Sequence, residues 1–414
     1  MTRISIINIG NELLSGQCVD TNSAWLGLKL AENGLEVADK FAVGDEIADI
    51  MDCLRLAAKK SNIILITGGL GPTDDDLTRE AIAKFFGVEL EFSQPLFEQM
   101  SSYFTNRGIA MADKNRVQAY LPAGAKPLIN TCGTAPGVNA SDEKVHIYAM
   151  PGVPSEMKAM FTGGVLPELK EIAGSATTVC KKLKCIGIGE SSLAEKIGDM
   201  MLRGRNPLIN CTVSNSVITL YVVAKAGSKE LAQQMVDAAV LELRAVIGQY
   251  IFGEDDQELA EVIGNMLVAE GATMATAESC TGGMIAKMLT DIPGSSRFFG
   301  YGWVTYANEA KMSQLGVSKE LLDKQGAVCE DVVRQMVKGA LVNSGSDYAI
   351  AVSGIAGPTG GTEDKPVGLV YIGAGSKEKC VVEKKVYLNG RDIFRIRTST
   401  AALDLLRREF LIEV

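Results

Sequence analysis

Short apolar runs alternate with amphipathic stretches along most of the chain. Ile4–Ile9 is an apolar run that ends at Gly10 and a polar turn. Thr21–Asn33 has helical spacing and stops at Gly34, a residue suited to the left-handed position after a helix. Leu35–Val43 reads as a strand, Glu46–Lys60 as a helix and Ile63–Thr67 as a buried strand. The loop GGLGPTDDD (68–76) follows, then a helix up to Phe86, and His146–Met150 supplies a further strand. This rhythm predicts a largely parallel sheet with helices on both faces. Ligands of such sheets sit at the carboxyl ends of the strands, where both glycine-rich loops of the chain fall.

The pattern changes twice. Between 173 and 253, Lys181–Ile188 and Ser216–Lys225 read as strands, and Ser191–Met201 and Lys229–Ile247 as helices. Phe252–Gln257 is a polar joint, after which alternation resumes with a helix at Leu259–Glu270 and a strand at Thr273–Ala277. The chain ends in an amphipathic Thr398–Phe410. The expected fold class is α/β: two three-layer α/β domains, 1–172 and 258–414, joined by a small α+β module at 173–253.

Composition narrows the chemistry. The 414 residues carry a formal charge of −9, which disfavours a polyanion, so no nucleic-acid partner is expected. The start, MTRISIINIGNELL, lacks the apolar core of a signal peptide, and no run approaches the roughly 20 apolar residues of a membrane helix. A cytoplasmic protein without a membrane partner is expected. The nine cysteines are scattered without a CxxC pair, which suits reduced thiols. His146 is the single histidine and reads as an ordinary strand residue. A Ser-His-Asp triad would have to use it, and a site with two histidine ligands is excluded. Any metal must lean on carboxylate oxygens, which suits hard ions.

Gly68, Gly69 and Gly71 directly follow a strand, where missing Cβ atoms let backbone N–H groups approach an anion. The helix after Asp76 offers its positive end to the same anion. Asp74, Asp75 and Asp76 can hold a divalent cation against phosphate oxygens, as attack on a pyrophosphate requires.

TAESCTGG (276–283) repeats the strand–loop–helix logic. Ser279 and Thr281 lie where the strand gives way, and Gly282 and Gly283 open the backbone for a ligand. Hydroxyls here can meet N–H donors able to stabilise an oxyanion or phosphate. PGSSRFFGYGWVTYANEAK (293–311) adds Ser295, Ser296, Tyr306 and Lys311. With Asn308 as N-cap, Lys311 faces the positive end of a helix, and burial would depress its pKa further. A lysine made partly neutral can serve as base to a serine. Ser353, Gly354 and the glycines after them form a long loop, and Arg391 can bind phosphate bidentately.

GNELLSG (10–16), VGD (43–45), GGLGPTDDDLT (68–78), NR (115–116), GTAPG (133–137) and PGVPSEM (151–157) resemble the N-terminal domain of the CinA (competence/damage-inducible) family. That domain is similar to molybdopterin-binding domains. The resemblance implies an ADP-ribose pyrophosphatase yielding AMP and ribose 5-phosphate and dependent on a divalent metal (Mg, Mn or Co). By motif Asp75 and Asp76 would be its catalytic carboxylates, with Glu12 and Glu156 as further metal ligands. Gly68, Gly69, Gly71 and Thr73 would contact substrate. The family usually has Thr where Asn11 stands.

TAESCTGG, PGSS, VTYANEAK, GAV (326–328), SGIAGPTGGTEDKPVG (353–368) and GRD (390–392) resemble the nicotinamide-nucleotide amidase domain of the same family. The implied reaction converts nicotinamide mononucleotide to nicotinic acid mononucleotide and ammonia without a cofactor. By motif Ser279, Ser296, Tyr306 and Lys311 form the hydrolytic cluster, and either serine can be the nucleophile. Thr281, Gly282, Gly283, Ser353, Gly354 and Arg391 would bind substrate. Cys329 stands where the family more often has Ser, and Asn389 where it often has an acidic residue. GIGESSLAEKI (187–197) resembles the family's KH-like module, but its Gly187-x-Gly189 is followed by Glu190, not by a basic GxxG loop. A structural or dimerising role is expected, and a homodimer with it. The rival expectations are a molybdopterin-binding transferase in the first domain and a non-enzymatic adaptor.

Overall fold

A computed structural model describes residues 2–173 and 177–412. The chain divides into two compact units, Met1–Cys180 with Val223–Met235, and Lys181–Val222 with Val236–Val414.

The first unit is built on a six-stranded sheet ordered Val37–Val43, Ile4–Ile9, Ile63–Thr67, His146–Met150, Gly137–Ser141 and Lys126–Leu128. The first four strands are parallel and the last two antiparallel. Ile4–Ile9 is buried along its whole length, and its side chains alternate between two cores. Ile4 and Ile6 point to one core with Ile63 and Leu65, beside the helices Thr21–Glu32 and Pro154–Met160. Ile7 and Ile9 point to the other with Ile64 and Ile66, beside Ile47–Ala58 and Thr78–Phe86. The three-layer arrangement follows from this period of two on a strand buried on both faces.

The second unit carries a five-stranded sheet ordered Phe299–Val304, Met274–Glu278, Tyr348–Gly354, Leu369–Gly375 and Cys380–Val386. Its first three strands are parallel and its last two antiparallel. Helices Leu259–Glu270 and Arg391–Leu406 cover one face, and Glu330–Ser344 the other. The helix expected from Thr398 begins at Arg391, and its first turns were hidden from the pattern because Arg391, Arg395 and Arg397 interrupt their apolar stripe.

Most of a further four-stranded sheet also belongs to the second unit. Its order is Leu208–Ser214, Val217–Ala226, Thr177–Cys185 and Ile251–Glu254. The strand expected at Lys181–Ile188 ends at Cys185, since Gly187 takes a positive φ of 80°. All nine cysteines are free thiols. No helix among the described residues is long and apolar enough to cross a membrane.

Candidate functional site

In the second unit the strand Met274–Glu278 ends on the loop 279–283. Lys311 reaches that loop from the helix Asn308–Leu315. Its Nζ lies 3.1 Å from the Ser279 Oγ, 2.8 Å from the Thr305 carbonyl and 3.3 Å from the Tyr306 carbonyl. Lys311 is only 1% exposed and Ser279 8%. Burial pulls the Lys311 pKa below the ordinary lysine range. Among the described residues no carboxylate pairs with Lys311, and its Nζ bonds only to the Ser279 hydroxyl and two carbonyl oxygens. Ala307 is the N-cap, not Asn308, and no side chain caps the helix. Lys311 therefore sits one residue deeper than expected, and still in the first turn.

The serine loop is held from both sides by residues that its sequence pattern did not single out. The Glu278 carboxylate, 1% exposed, accepts hydrogen bonds from the N–H groups of Gly283, Ile285 and Ala286 at 3.0, 3.1 and 2.8 Å. It thereby satisfies the free donors at the start of the helix Met284–Thr290. From the other side Arg395 donates through Nε and one terminal nitrogen to the Thr281 carbonyl, at 3.1 and 2.6 Å. The acidic residue directly before Ser279 was the available sign of the first brace. The second carried no local sign.

Several residues expected to bind substrate make contacts within the chain. The Gly283 N–H is spent on Glu278, and the Gly282 N–H bonds back to the Ser279 carbonyl. Both glycines adopt left-handed φ, 61° and 90°, so they shape the turn and do not bare the backbone to a ligand. The N–H groups of Cys280 and Thr281 bond to no other residue among those described. The Thr281 hydroxyl is buried and unpartnered, and stays available as expected. Cys280 is not a competing nucleophile, because burial pushes its thiol up to about 12. Ser353 is buried and donates to the Ala327 carbonyl at 2.7 Å, tying two loops together instead of facing a ligand. Gly354 packs against the neighbouring strand, where a side chain would strike the Leu369 carbonyl and Val370. Arg391 donates to the Gly357 carbonyl at 2.9 Å and to the Tyr306 hydroxyl at 3.1 Å, which joins two predicted residues at the exposed mouth. Cys329 is buried, and its thiol donates to the Gly326 carbonyl.

Ser296 does not join this cluster within the chain. It lies in the short turn Ser295–Arg297, before the strand Phe299–Val304. That strand runs parallel to Met274–Glu278, with Phe299 beside Met274 and Val304 beside Glu278. Ser279 follows the carboxyl end of the sheet, so Ser296 lies at the opposite edge. Five steps of about 3.3 Å separate the two edges.

In the first unit a cleft of about 420 Å³ opens at the carboxyl ends of the parallel strands. Glu12, Asp45, Asp75, Asp76 and Glu156 all line it. Asp45, at the end of Val37–Val43, closes the VGD motif without having been singled out as a ligand. Its carboxyl is pushed above the usual range by burial and by the charges of Glu12, Asp75 and Asp76. Asp75 is exposed, while Asp74 is exposed and outside the cleft.

Asp76 is a loop brace first. Its two oxygens accept from the Gly71 N–H at 2.7 Å and from the Thr73 N–H and hydroxyl at 2.9 and 2.6 Å. The Gly68 N–H bonds the Met150 carbonyl at 3.0 Å. The N–H groups of Gly68 and Gly71, expected to cradle an anion, are both taken within the chain, and the Thr73 hydroxyl is likewise spent. Buried Arg79 lies beneath the loop and donates to the Leu70 and Gly71 carbonyls at 2.7 and 2.9 Å. The following helix starts at Thr78, beyond Asp76. The Asn130 side-chain amide donates to Glu156 at 2.5 Å, and Gly133 leaves room for that carboxylate. Among the described residues no three His, Cys, Asp or Glu side chains are grouped as an ion's ligand set. The cleft carboxylates offer oxygen donors only. His146 starts its strand at the edge away from this cleft, as an ordinary strand residue.

Three families match in order along the chain: a probable molybdopterin binding domain at 5–171, the damage-inducible protein CinA KH domain at 180–253 and the CinA C-terminal domain at 256–410. A putative competence-damage inducible protein of Caldicellulosiruptor saccharolyticus is 41% identical over 409 residues, 98% of each chain. The chain belongs to the CinA family. A CinA-like protein of Kosmotoga olearia is 40% identical over 410 residues, 99% of each chain. Among solved structures, the competence/damage inducible protein CihA of Agrobacterium tumefaciens is 43% identical, covering 36% of this chain and 91% of its own, with a TM-score of 0.35. The CinA of Thermoplasma acidophilum is 32% identical, covering 40% of this chain and 97% of its own, with a TM-score of 0.38.

Proposed function

We propose that the C-terminal domain of this CinA-family chain deamidates nicotinamide mononucleotide. The buried Lys311 on the Ser279 hydroxyl, with no carboxylate to keep it charged, carries the reading. Neutral Lys311 takes the hydroxyl proton as Ser279 Oγ attacks the carboxamide carbon. The N–H groups of Cys280 and Thr281 are the loop donors left for the oxyanion. Lys311 then returns the proton to the departing ammonia, leaving a serine ester of nicotinic acid mononucleotide. Water cleaves the ester by the same proton relay. Arg391 and Tyr306 at the mouth suit the substrate phosphate. The test is ammonia release from nicotinamide mononucleotide by the purified chain, with and without EDTA. Chelator-insensitive release supports the reading. No release from a folded chain defeats it.

The crowded carboxylates beside the glycine loop favour a second activity, hydrolysis of ADP-ribose to AMP and ribose 5-phosphate. Glu12, Asp45, Asp75 and Glu156 would hold a divalent cation, which when bound neutralises charge on the pyrophosphate. Asp76 and Arg79 keep the loop in shape beneath it. AMP formation that EDTA abolishes would support this reading, and molybdopterin binding without turnover would replace it.

A further inference from the structure

The second unit holds a cavity of about 850 Å³ that shares no lining residue with the serine loop. That volume falls within the roughly 300–1,000 Å³ of small-molecule sites. The turn 186–190 lines it, and so does one face of the helix Arg391–Leu406. The turn and the helix are close: a Cβ on Gly187 would come within 3.7 Å of Asp404. Six charged side chains line the cavity, and four of them pair with one another. Lys385 and Arg408 share Glu383, at 2.9 and 3.1 Å, and Arg408 also meets Asp404 at 2.8 Å. Arg397 and Glu190 are left over. Arg397 meets no carboxylate among the described residues. One terminal nitrogen donates to the Asn389 side chain at 2.7 Å, while its Nε is buried and unpartnered. The guanidinium carbon lies 4.6 Å from the centre of the Tyr387 ring, which fixes the plane it presents. A buried donor left unpaired is unfavourable, and an anion at the guanidinium edge would answer it.

In the turn, the N–H groups of Ile188, Gly189 and Glu190 bond no other described residue. Gly189 has an ordinary φ of −80°, and a Cβ there would meet nothing within 4 Å. Neither its backbone nor its packing calls for a glycine, whereas close approach of a ligand to the backbone does. The rest of the lining is largely apolar, with buried Ile186 and Ile218 beside Tyr250 and Tyr387.

We propose that this cavity binds a mononucleotide, separately from both candidate catalytic sites. Its phosphate would pair with Arg397, the one cation of the lining without a carboxylate, and with the open N–H groups of the turn. Its ring would lie on the apolar wall with Tyr250. Glu190 would accept from an amino or hydroxyl group of the ligand. A bare anion would leave the apolar wall uncovered, and an apolar molecule would leave Arg397 unanswered. The lining therefore selects a ligand with both parts. The site rests on neither catalytic reading.

The test is hydrogen exchange of the full chain on the millisecond-to-second scale, read by mass spectrometry. AMP, nicotinic acid mononucleotide and inorganic phosphate are added in turn. At least one mononucleotide should slow exchange in the peptide spanning 186–193. Arg397→Ala should raise the concentration needed about tenfold or more. Gly189→Leu, which fills open space, should abolish the slowing. Neither substitution should change any protection at 68–76 or 279–283, where the same ligands would occupy the candidate catalytic sites. Protection at 186–193 in this pattern supports the site whatever happens at those two loops. Should Arg397→Ala unfold, Gly189→Leu, on an exposed turn, decides alone. Protection that survives both substitutions, or none at 186–193 with either mononucleotide, overturns the proposal. Equal protection by inorganic phosphate at the same concentration would make this an anion site with no place for a ring, and overturns it too.

Discussion

The two candidate sites sit at the same place on similar sheets and solve opposite electrostatic problems. Around Ser279 the chain buries one lysine, withholds a counter-charge, and so favours its neutral form. Around the glycine loop it gathers five carboxylates at an open cleft, where burial and then the neighbouring charges raise the Asp45 carboxyl above its usual range. The cleft carries excess negative charge that a cation would relieve. One strand–loop–helix frame thus carries either a desolvated lysine or a carboxylate-lined cleft, depending on what the following residues contribute.

The sharpest way to break the comparison is Lys311→Ala. It should lower ammonia release by about 10²–10⁴-fold and leave AMP formation from ADP-ribose intact. Equal loss of both activities would mean that the sites are not independent. Glu278→Ala should come next, stranding three backbone N–H groups and costing about 3 kcal/mol, read as a lower thermal midpoint. An unchanged midpoint would show the brace to be dispensable. Asn130→Ala should raise the metal concentration needed for AMP formation by about 10–100-fold, since it releases Glu156. A metal requirement that stays put would remove Glu156 from the ion's surroundings.

Two finer tests concern the lysine. Ammonia release should rise with pH, because neutral Lys311 is the active form. Its half-point should lie below the ordinary lysine value, since burial lowers the pKa. A rate that falls over that interval would make a charged Lys311 the active form. Ser296→Ala, at the far edge of the sheet, should leave the rate unchanged if the chain acts alone.

Much of this architecture was legible because strands buried on both faces leave long apolar runs. Ile4–Ile9, Ile63–Thr67 and His146–Met150 have the bounds expected from sequence. Short edge elements such as Leu90–Phe92 and Lys126–Leu128 did not show, because three residues hold no period. Pattern placed Ser279 in a loop and Lys311 at the start of a helix 32 positions on, and the pairing of Met274–Glu278 with Phe299–Val304 brings the two together. Bracing residues were the least legible. Arg395 acts on Thr281 from 114 positions away, and Arg79 acts through backbone carbonyls that any sequence offers. Ser296, carried over with the PGSS motif, is set apart from VTYANEAK by the extended strand between them.

The most direct test is to trap the serine ester. The chain would be mixed with nicotinamide mononucleotide, quenched in acid within a turnover and digested, and its peptides weighed. A nicotinic acid mononucleotide adduct on the peptide containing Ser279, absent from Lys311→Ala, is the result expected. An adduct on Ser296, or ammonia release undiminished in Ser279→Ala, would contradict the Ser279–Lys311 account.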